Sequence, residues 1–281
     1  MKAHKISSRV YADTSGEGRG NIGAIELPNY TIVIDSTLFP QTAATFRASL
    51  NSQTKSPIHK LILTHCHEDH IFGNQVFEDC EIISNKTLKK RMEELAPEEW
   101  TKKKLIEWEK EVPEYAGKLR NVRITYPTVT FEETLTLKDE DYSVKIVHSG
   151  GHSGDTSYIY LPQEKTLFSG DLIFAKSFFW GGDPTFNPEK WISALRNFLN
   201  MKIDTIVPGH GSLCDKEEVK IYLEFFQKTS SIMKELVQKE LQEKEIVKHK
   251  EFPDFYSPYR EGVRERALVN WYNFYKRKAE T

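Results

Sequence analysis

The run Thr64-His65-Cys66-His67-Glu68-Asp69-His70 sets three imidazoles and a carboxylate within six residues, straight after an apolar stretch. Nitrogen and oxygen donors of this kind suit zinc, and also iron or manganese. On an extended chain alternate side chains point the same way, so His65 and His67 can grip one ion. Asp69 and His70, where the chain turns into a loop or helix, can face a second. The usual fate of a lone histidine is a satisfied polar position, but four potential ligands at H-x-H-x-D-H spacing call for more than that. Cys66 lies between two of them, and alternation turns its side chain away, so it reads as a small buried residue.

Further segments extend the pattern. Val33-Ile34-Asp35-Ser36 is a strand running into an aspartate, and Gly151-His152-Ser153-Gly154-Asp155-Thr156 supplies another histidine. Ser169-Gly170-Asp171 and Pro208-Gly209-His210-Gly211 follow. With the His65–His70 run these five segments, in this order, resemble the motifs of the metallo-β-lactamase superfamily. The resemblance implies one divalent ion on His65, His67 and His152 and a second on Asp69, His70 and His210, with Asp171 between them. Asp35 is then expected to stand behind the ligands and orient them. The chemistry so implied is hydrolysis by a water that two cations share and deprotonate near neutral pH, with no serine or cysteine nucleophile. Asp69 is placed both to bind an ion and to hold the attacking water or relay its proton.

Departures within the motifs narrow the reading. Several zinc β-lactamases carry arginine or glutamine in the first motif, or cysteine in place of the bridging aspartate. His70 and Asp171 instead resemble hydroxyacylglutathione hydrolases, lactonases and tRNA 3′-processing endonucleases. Ile71-Phe72-Gly73-Asn74 replaces the familiar Gly-Gly after the motif, and no basic, glycine-rich arm suggests a tRNA substrate. The expectation is a hydrolase with two metal ions, zinc first, acting on a small ester, thioester or lactone. Its rivals are a phosphodiesterase or phosphotriesterase, a nucleic-acid-processing nuclease, and a non-haem iron redox protein on the same scaffold.

These residues need elements to hold them. GNIGAIEL (20–27) and YTIVIDS (30–36) read as strands around a Pro28-Asn29 hairpin, 40–52 as a helix, and KLILTH (60–65) as a buried strand. Residues 86–120 form a charged insert, read as two or three solvated helices broken by Pro97 and Pro113, and as a lid or a surface elaboration. Strands return at 130–137, 142–149, 156–162 and 166–171, then a helix near 188–200 and a strand at 204–209. Helix follows from 215 to about 245, where Asp215 and Glu218 fit a capping box, and a last helix starts near 260. This order predicts an α/β, four-layer αββα sandwich with extra C-terminal helices: a core over 1–214 and a helical extension over 215–281 packed on the same domain. The aromatic run Phe178-Phe179-Trp180 after Asp171 is expected to wall the pocket, with Lys176 meeting the substrate.

Bulk properties fit this reading. The 281 residues hold 39 Lys plus Arg against 41 Asp plus Glu, a net charge of −2, so charge gives no support to a polynucleotide partner. No apolar run approaches the ~18 residues a membrane span needs. The first residues lack the apolar stretch of a secretory signal. Three cysteines without CxxC spacing argue against a disulfide framework. A cytoplasmic protein with a small-molecule substrate, and a homodimer as one option, is the expectation.

Overall fold

Alternation along the strands decides the layering. In the computed structural model, which describes residues 1–280, the first half of the chain forms β1 (His4–Lys5), β2 (Val10–Asp13), β3 (Ile22–Glu26), β4 (Thr31–Ile34), α1 (Pro40–Asn51), β5 (Ile58–Ile62), α2 (Glu68–Ile71), β6 (Glu81–Asn85), α3 (Lys86–Glu99), α4 (Lys102–Glu111) and β7 (Val129–Phe131). The second half forms β8 (Thr134–Asp139), β9 (Tyr142–His148), β10 (Ser157–Leu161), β11 (Thr166–Phe174), α5 (Pro188–Asn200), β12 (Thr205–His210), α6 (Lys216–Gln238), α7 (Glu243–Ile246) and α8 (Val263–Ala279). β1 to β7 make one sheet in sequence order, and the other runs β12-β11-β10-β9-β8. Successive side chains go to opposite faces. Thus Val10, Ala12, Ile32, Ile34 and Ile62 meet Ile146, Ile159 and Leu161 between the sheets. Their sequence neighbours Tyr11, Val33, Leu61 and Leu63 instead pack with α1 and α3. Tyr158 and Tyr160 lie under α5, α6 and α8 on the far side. Both faces of both sheets are covered except along β8 and β9, where Thr134, Thr136, Lys138 and Lys145 stay exposed, which is the αββα sandwich expected from element order.

Several local expectations need correction. Residues 130–137 are two strands, not one: the chain leaves the first sheet at Phe131 and enters the second at Thr134, so this stretch is the crossover between layers. Pro97 does not break its helix, because α3 has only two residues left to run past it, where few hydrogen bonds remain to lose. The break falls at Thr101, whose hydroxyl accepts from the Lys104 amide to start α4. β11 runs three residues beyond Asp171, so Leu172 to Phe174 are strand rather than loop. Helix from 215 ends at Gln238, with a separate short turn of helix at α7. Asp215 does cap α6 through the Glu217 amide. Glu218 does not return the bond; its carboxylate takes the Lys176 amide and the Tyr256 hydroxyl instead. No helix among the described residues is long and apolar enough to cross a membrane.

Candidate metal centre

The site lies where β4, β5, β11 and β12 end side by side. β4 and β5 are parallel neighbours, as are β11 and β12, so the residues after β4 and β5, Asp171 within β11 and His210 at the end of β12 reach one edge of the sandwich. Beyond β4, Asp35 takes a left-handed backbone at φ 60°, which aspartate tolerates better than most residues. Its Oδ1 accepts from the Thr64 amide at 2.8 Å and its Oδ2 from the Thr64 hydroxyl at 2.8 Å. Oδ2 also lies 2.8 Å from His70 Nδ1. An ionised carboxylate only accepts, so Nδ1 carries the hydrogen and His70 Nε2 presents a lone pair. On the facing sheet a bulge at Gly170 re-aims the chain before Asp171. Gly170 has φ 50°, and a Cβ there would sit 2.9 Å from Thr64 Cβ. At Gly209 a Cβ would fall 2.0 Å from Asp171 Oδ1, so only glycine lets the two strands bring this carboxylate to the edge.

The seven residues named from the sequence come together there in two groups. In each, the offered ligand atoms lie within 4.8 Å of one another: His65, His67, His152 and Asp171 form one group, and Asp69, His70 and His210 the other. His67 Nδ1 is 3.1 Å from His65 Nε2 and 3.0 Å from His152 Nε2. Asp171 faces both groups. Its Oδ2 lies 3.5 Å from His65 Nε2 and 3.4 Å from His152 Nε2, while its Oδ1 lies 3.2 Å from His70 Nε2 and 3.3 Å from His210 Nε2. Asp69 Oδ2 is 3.3 Å from His210 Nε2.

This packing fits two cations. His70 Nε2 and Asp171 Oδ1 are buried without a hydrogen-bond partner, and such groups cost free energy unless something binds them. Burial, with the neighbouring His70, pushes His65 below its ordinary pKa, and burial pushes His152 well below. That favours the neutral form a ligand takes, whereas the Asp171 and Asp69 carboxylates, against burial, raise His70 and His210. Burial alone would raise Asp171, but the facing His210 and His70 imidazoles hold it well below the carboxylate range. Access is graded: His65, His70 and His152 side chains are fully covered, whereas those of Asp69 and His210 are 25% and 24% exposed. Asp69, His210 and the partly exposed His67 form the open face, and Asp171 lies on the floor. Cys66 offers no thiolate; burial drives its thiol well up, and its backbone amide donates to Asp155 Oδ2 at 2.8 Å.

Sequence reasoning missed the anions behind the first group. His67 Nε2 lies 2.9 Å from Asp183 Oδ2, which fixes Nδ1 as the atom turned to the centre. Burial opposes charge on His67, but the Asp183 carboxylate overrides it and raises the ring to about 9. Arg91, from α3, bridges Asp183 at 2.6 Å and Asp155, so the 86–120 insert is not merely a solvated elaboration. Trp100, at the end of α3, donates to Glu68 Oε1 at 2.9 Å. Two signals were available. Arg91 is the single arginine of a helix with three lysines and four glutamates and stands one turn from Leu88 and Leu95 of its apolar face; Asp183 directly follows Gly181-Gly182. The aromatic run also needs correction. Phe178 and Phe179 are core residues, packed against Phe225, Phe255 and Trp271, because β11 runs on and delivers them beneath α6 and α8. Trp180 alone stays partly open, and Lys176 is an exposed turn residue.

Comparison with known proteins agrees with this geometry. The model of the metallo-beta-lactamase superfamily matches residues 15–210. The chain is 23% identical over 240 residues to the 2,4-dinitroanisole O-demethylase subunit alpha of Nocardioides sp. (strain JS1661), covering 82% of this chain and 64% of that one. It is 28% identical over 220 residues to the beta-lactamase-like protein 2 homolog of Drosophila melanogaster, covering 72% and 64%. Matches to such relatives thus span less than two thirds of their length. The stereoselective inverting sec-alkylsulfatase of Pseudomonas sp. superposes with a TM-score of 0.74 at 15% identity, over 98% of this chain and 50% of that one, a likeness of fold. With the family match covering most of the chain, and the motifs converging at one edge of an αββα sandwich, the chain belongs to the metallo-β-lactamase superfamily and is an enzyme.

Proposed function

We propose that this chain is a dinuclear metal-dependent hydrolase of a small ester, thioester or lactone. His65, His67 and His152 would hold one divalent ion and Asp69, His70 and His210 the other, with Asp171 shared. The observation that carries the reading is Asp171, whose two oxygens each face a different group of imidazoles. When bound, a pair of divalent ions supplies the Lewis acidity that makes water nucleophilic near neutral pH and polarises a carbonyl oxygen. Zinc is the choice the donors favour, all nitrogen and oxygen, with iron or manganese as substitutes.

The chain's own groups divide the remaining work. Asp35 holds the His70 tautomer through Nδ1, and Asp183 holds that of His67 through Nε2. Asp171 neutralises charge at the floor. Asp69 is the carboxylate on the open face, so its Oδ2 can orient a water and move its proton towards the leaving group. The small-molecule substrate is part of the same proposal. The test is metal content by mass spectrometry after full loading, together with turnover on a panel of chromogenic esters, thioesters, lactones and phosphodiesters. Two ions per chain and turnover of an acyl substrate are expected; loading that stops at one ion, or turnover of phosphodiesters alone, would overturn the reading.

A further inference from the structure

The stretch just before α8 is tied to the chain that leaves β11 towards Asp183, and it holds a cation that no carboxylate pairs with. The Phe178 amide donates to the Ser257 carbonyl at 3.2 Å, which ties the stretch ahead of α8 to the chain leaving β11. Tyr259 is 55% exposed, and it shares Arg260 with Trp180, which stands three residues before Asp183, the carboxylate 2.9 Å from His67 Nε2. α8 holds the same stretch, because Asn270 donates to the Gly181 and Asp183 carbonyls at 2.9 and 2.7 Å, so these side chains stand on the His67 side of the site. Tyr115 is covered by the Arg19 guanidinium at 5.0 Å, beside Gly20, where a Cβ would lie 2.4 Å from the Asp69 carbonyl oxygen. Arg19 is neutralised by an ion pair with Glu114. Arg260 differs. Its guanidinium lies 5.6 Å from the Trp180 ring centre and 5.8 Å from that of Tyr259, and it has no ion pair with a carboxylate among the described residues. A guanidinium stacked on ring faces keeps its in-plane N–H groups free, the fork that grips a carboxylate through two bonds.

We propose that Arg260, framed by Trp180 and Tyr259, is the subsite for a carboxylate carried by the small ester this enzyme hydrolyses, an inference that rests on the hydrolase reading above. The C-terminal extension then sets specificity for anionic acyl substrates, while the motif residues set the chemistry. Trp180, which Arg266 covers at 5.3 Å, gives the guanidinium a fixed backing. The flat part of a substrate can lie on the Tyr259 ring.

The test uses the full metal-loaded chain and two probes of similar size, mono-4-nitrophenyl glutarate and neutral 4-nitrophenyl butyrate. The measured quantity is the ratio of their kcat/KM values. The unmodified protein is expected to prefer the anionic ester, and Arg260→Ala to lower the ratio by about tenfold, the size of one charged hydrogen-bonded contact. Arg260→Lys keeps the charge but not the fork and is expected to recover part of it. Arg264→Ala removes the same charge within the first turn of α8, beside Phe252, and is expected to leave the ratio in place. No preference in the unmodified protein, or an unchanged ratio in Arg260→Ala, overturns the subsite. Calorimetric titration with glutarate is the second readout, with Kd expected to weaken about tenfold in Arg260→Ala. If neither ester is turned over, the hydrolase reading fails, and the glutarate titration alone decides the subsite: a Kd that Arg260→Ala leaves unchanged, or no binding at all, overturns it.

Discussion

Asp171 faces four imidazoles with two oxygens, so its removal separates the two halves of the site. In Asp171→Ala the two ions would repel each other with nothing between them. We expect metal content to fall from two ions to one or fewer, and turnover to drop at least about a hundredfold, beyond the roughly 10–100-fold loss typical for a residue that only orients a ligand. Metal analysis and the ester assay check this together; a variant that keeps two ions and its activity removes the bridging role. Asp183→Asn is the milder case. It keeps the shape but loses the anion behind His67, so metal affinity is expected to fall about 10–100-fold in a chelator competition titration, and an unchanged affinity would make Asp183 a packing residue. The seven converging residues were legible because each sits in a short motif whose spacing is itself chemical information. Asp183 and Arg91 were not, because their partnership spans 92 residues of chain and exists only once α3 folds back onto the strand ends.

Elements carry that support. α3 supplies Arg91, and α8 supplies Asn270, whose side-chain amide donates to the Gly181 and Asp183 carbonyls at 2.9 and 2.7 Å. The insert and the C-terminal helices therefore hold Asp183 from opposite sides, which a reading of charged, mixed-sign helices does not reveal. Arg91→Met would leave Asp155 and Asp183, both buried, without their shared cation, and breaking a buried pair this way costs about 3–5 kcal/mol. The burden depends on pH in a defined direction. Burial acts to raise both carboxylates, but Arg91 helps hold them below their ordinary range, so its contribution is complete above pH of about 4 and is lost as pH falls further. In chelator-treated protein the denaturation deficit of Arg91→Met should shrink in acid; a deficit constant with pH would mean lost packing alone. The aromatic run separates in the same way. Phe179→Ala should cost about 3–5 kcal/mol as a core deletion with little change in KM, whereas Trp180→Ala should act on substrate preference with a small loss of stability. The reverse pattern would return Phe179 to the pocket wall. The sequence could not divide these neighbours, because the outcome depended on β11 running three residues past Asp171.

At the scale of the whole molecule the site is a staple between layers. His65, His67, Asp69 and His70 follow strands of the first sheet, whereas His152, Asp171 and His210 belong to the second. Between these layers the core is made of aliphatic residues with Phe131 and Phe168; at the edge, imidazoles and carboxylates crowd together with unpartnered atoms. The layering itself was legible, since two strand-rich halves each followed by helices imply two covered sheets, but the crossover at 131–134 was not, because both strands it joins mix threonine with apolar residues. Ions that bind only the folded arrangement stabilise it by mass action, by about 4 kcal/mol when free metal is a thousandfold above Kd. For a chain of this size that corresponds to a rise in melting temperature on the order of 10 °C. Because each proposed ion would draw ligands from both sheets, the gain should also appear as slower amide exchange at the ends of β5 and β11, while α7 and the first strand stay unchanged. Thermal scans and hydrogen exchange with and without chelator test both parts. A melting temperature indifferent to metal, or protection confined to one sheet, would show that the two layers are held by their apolar core alone and that the ligands do not act across it.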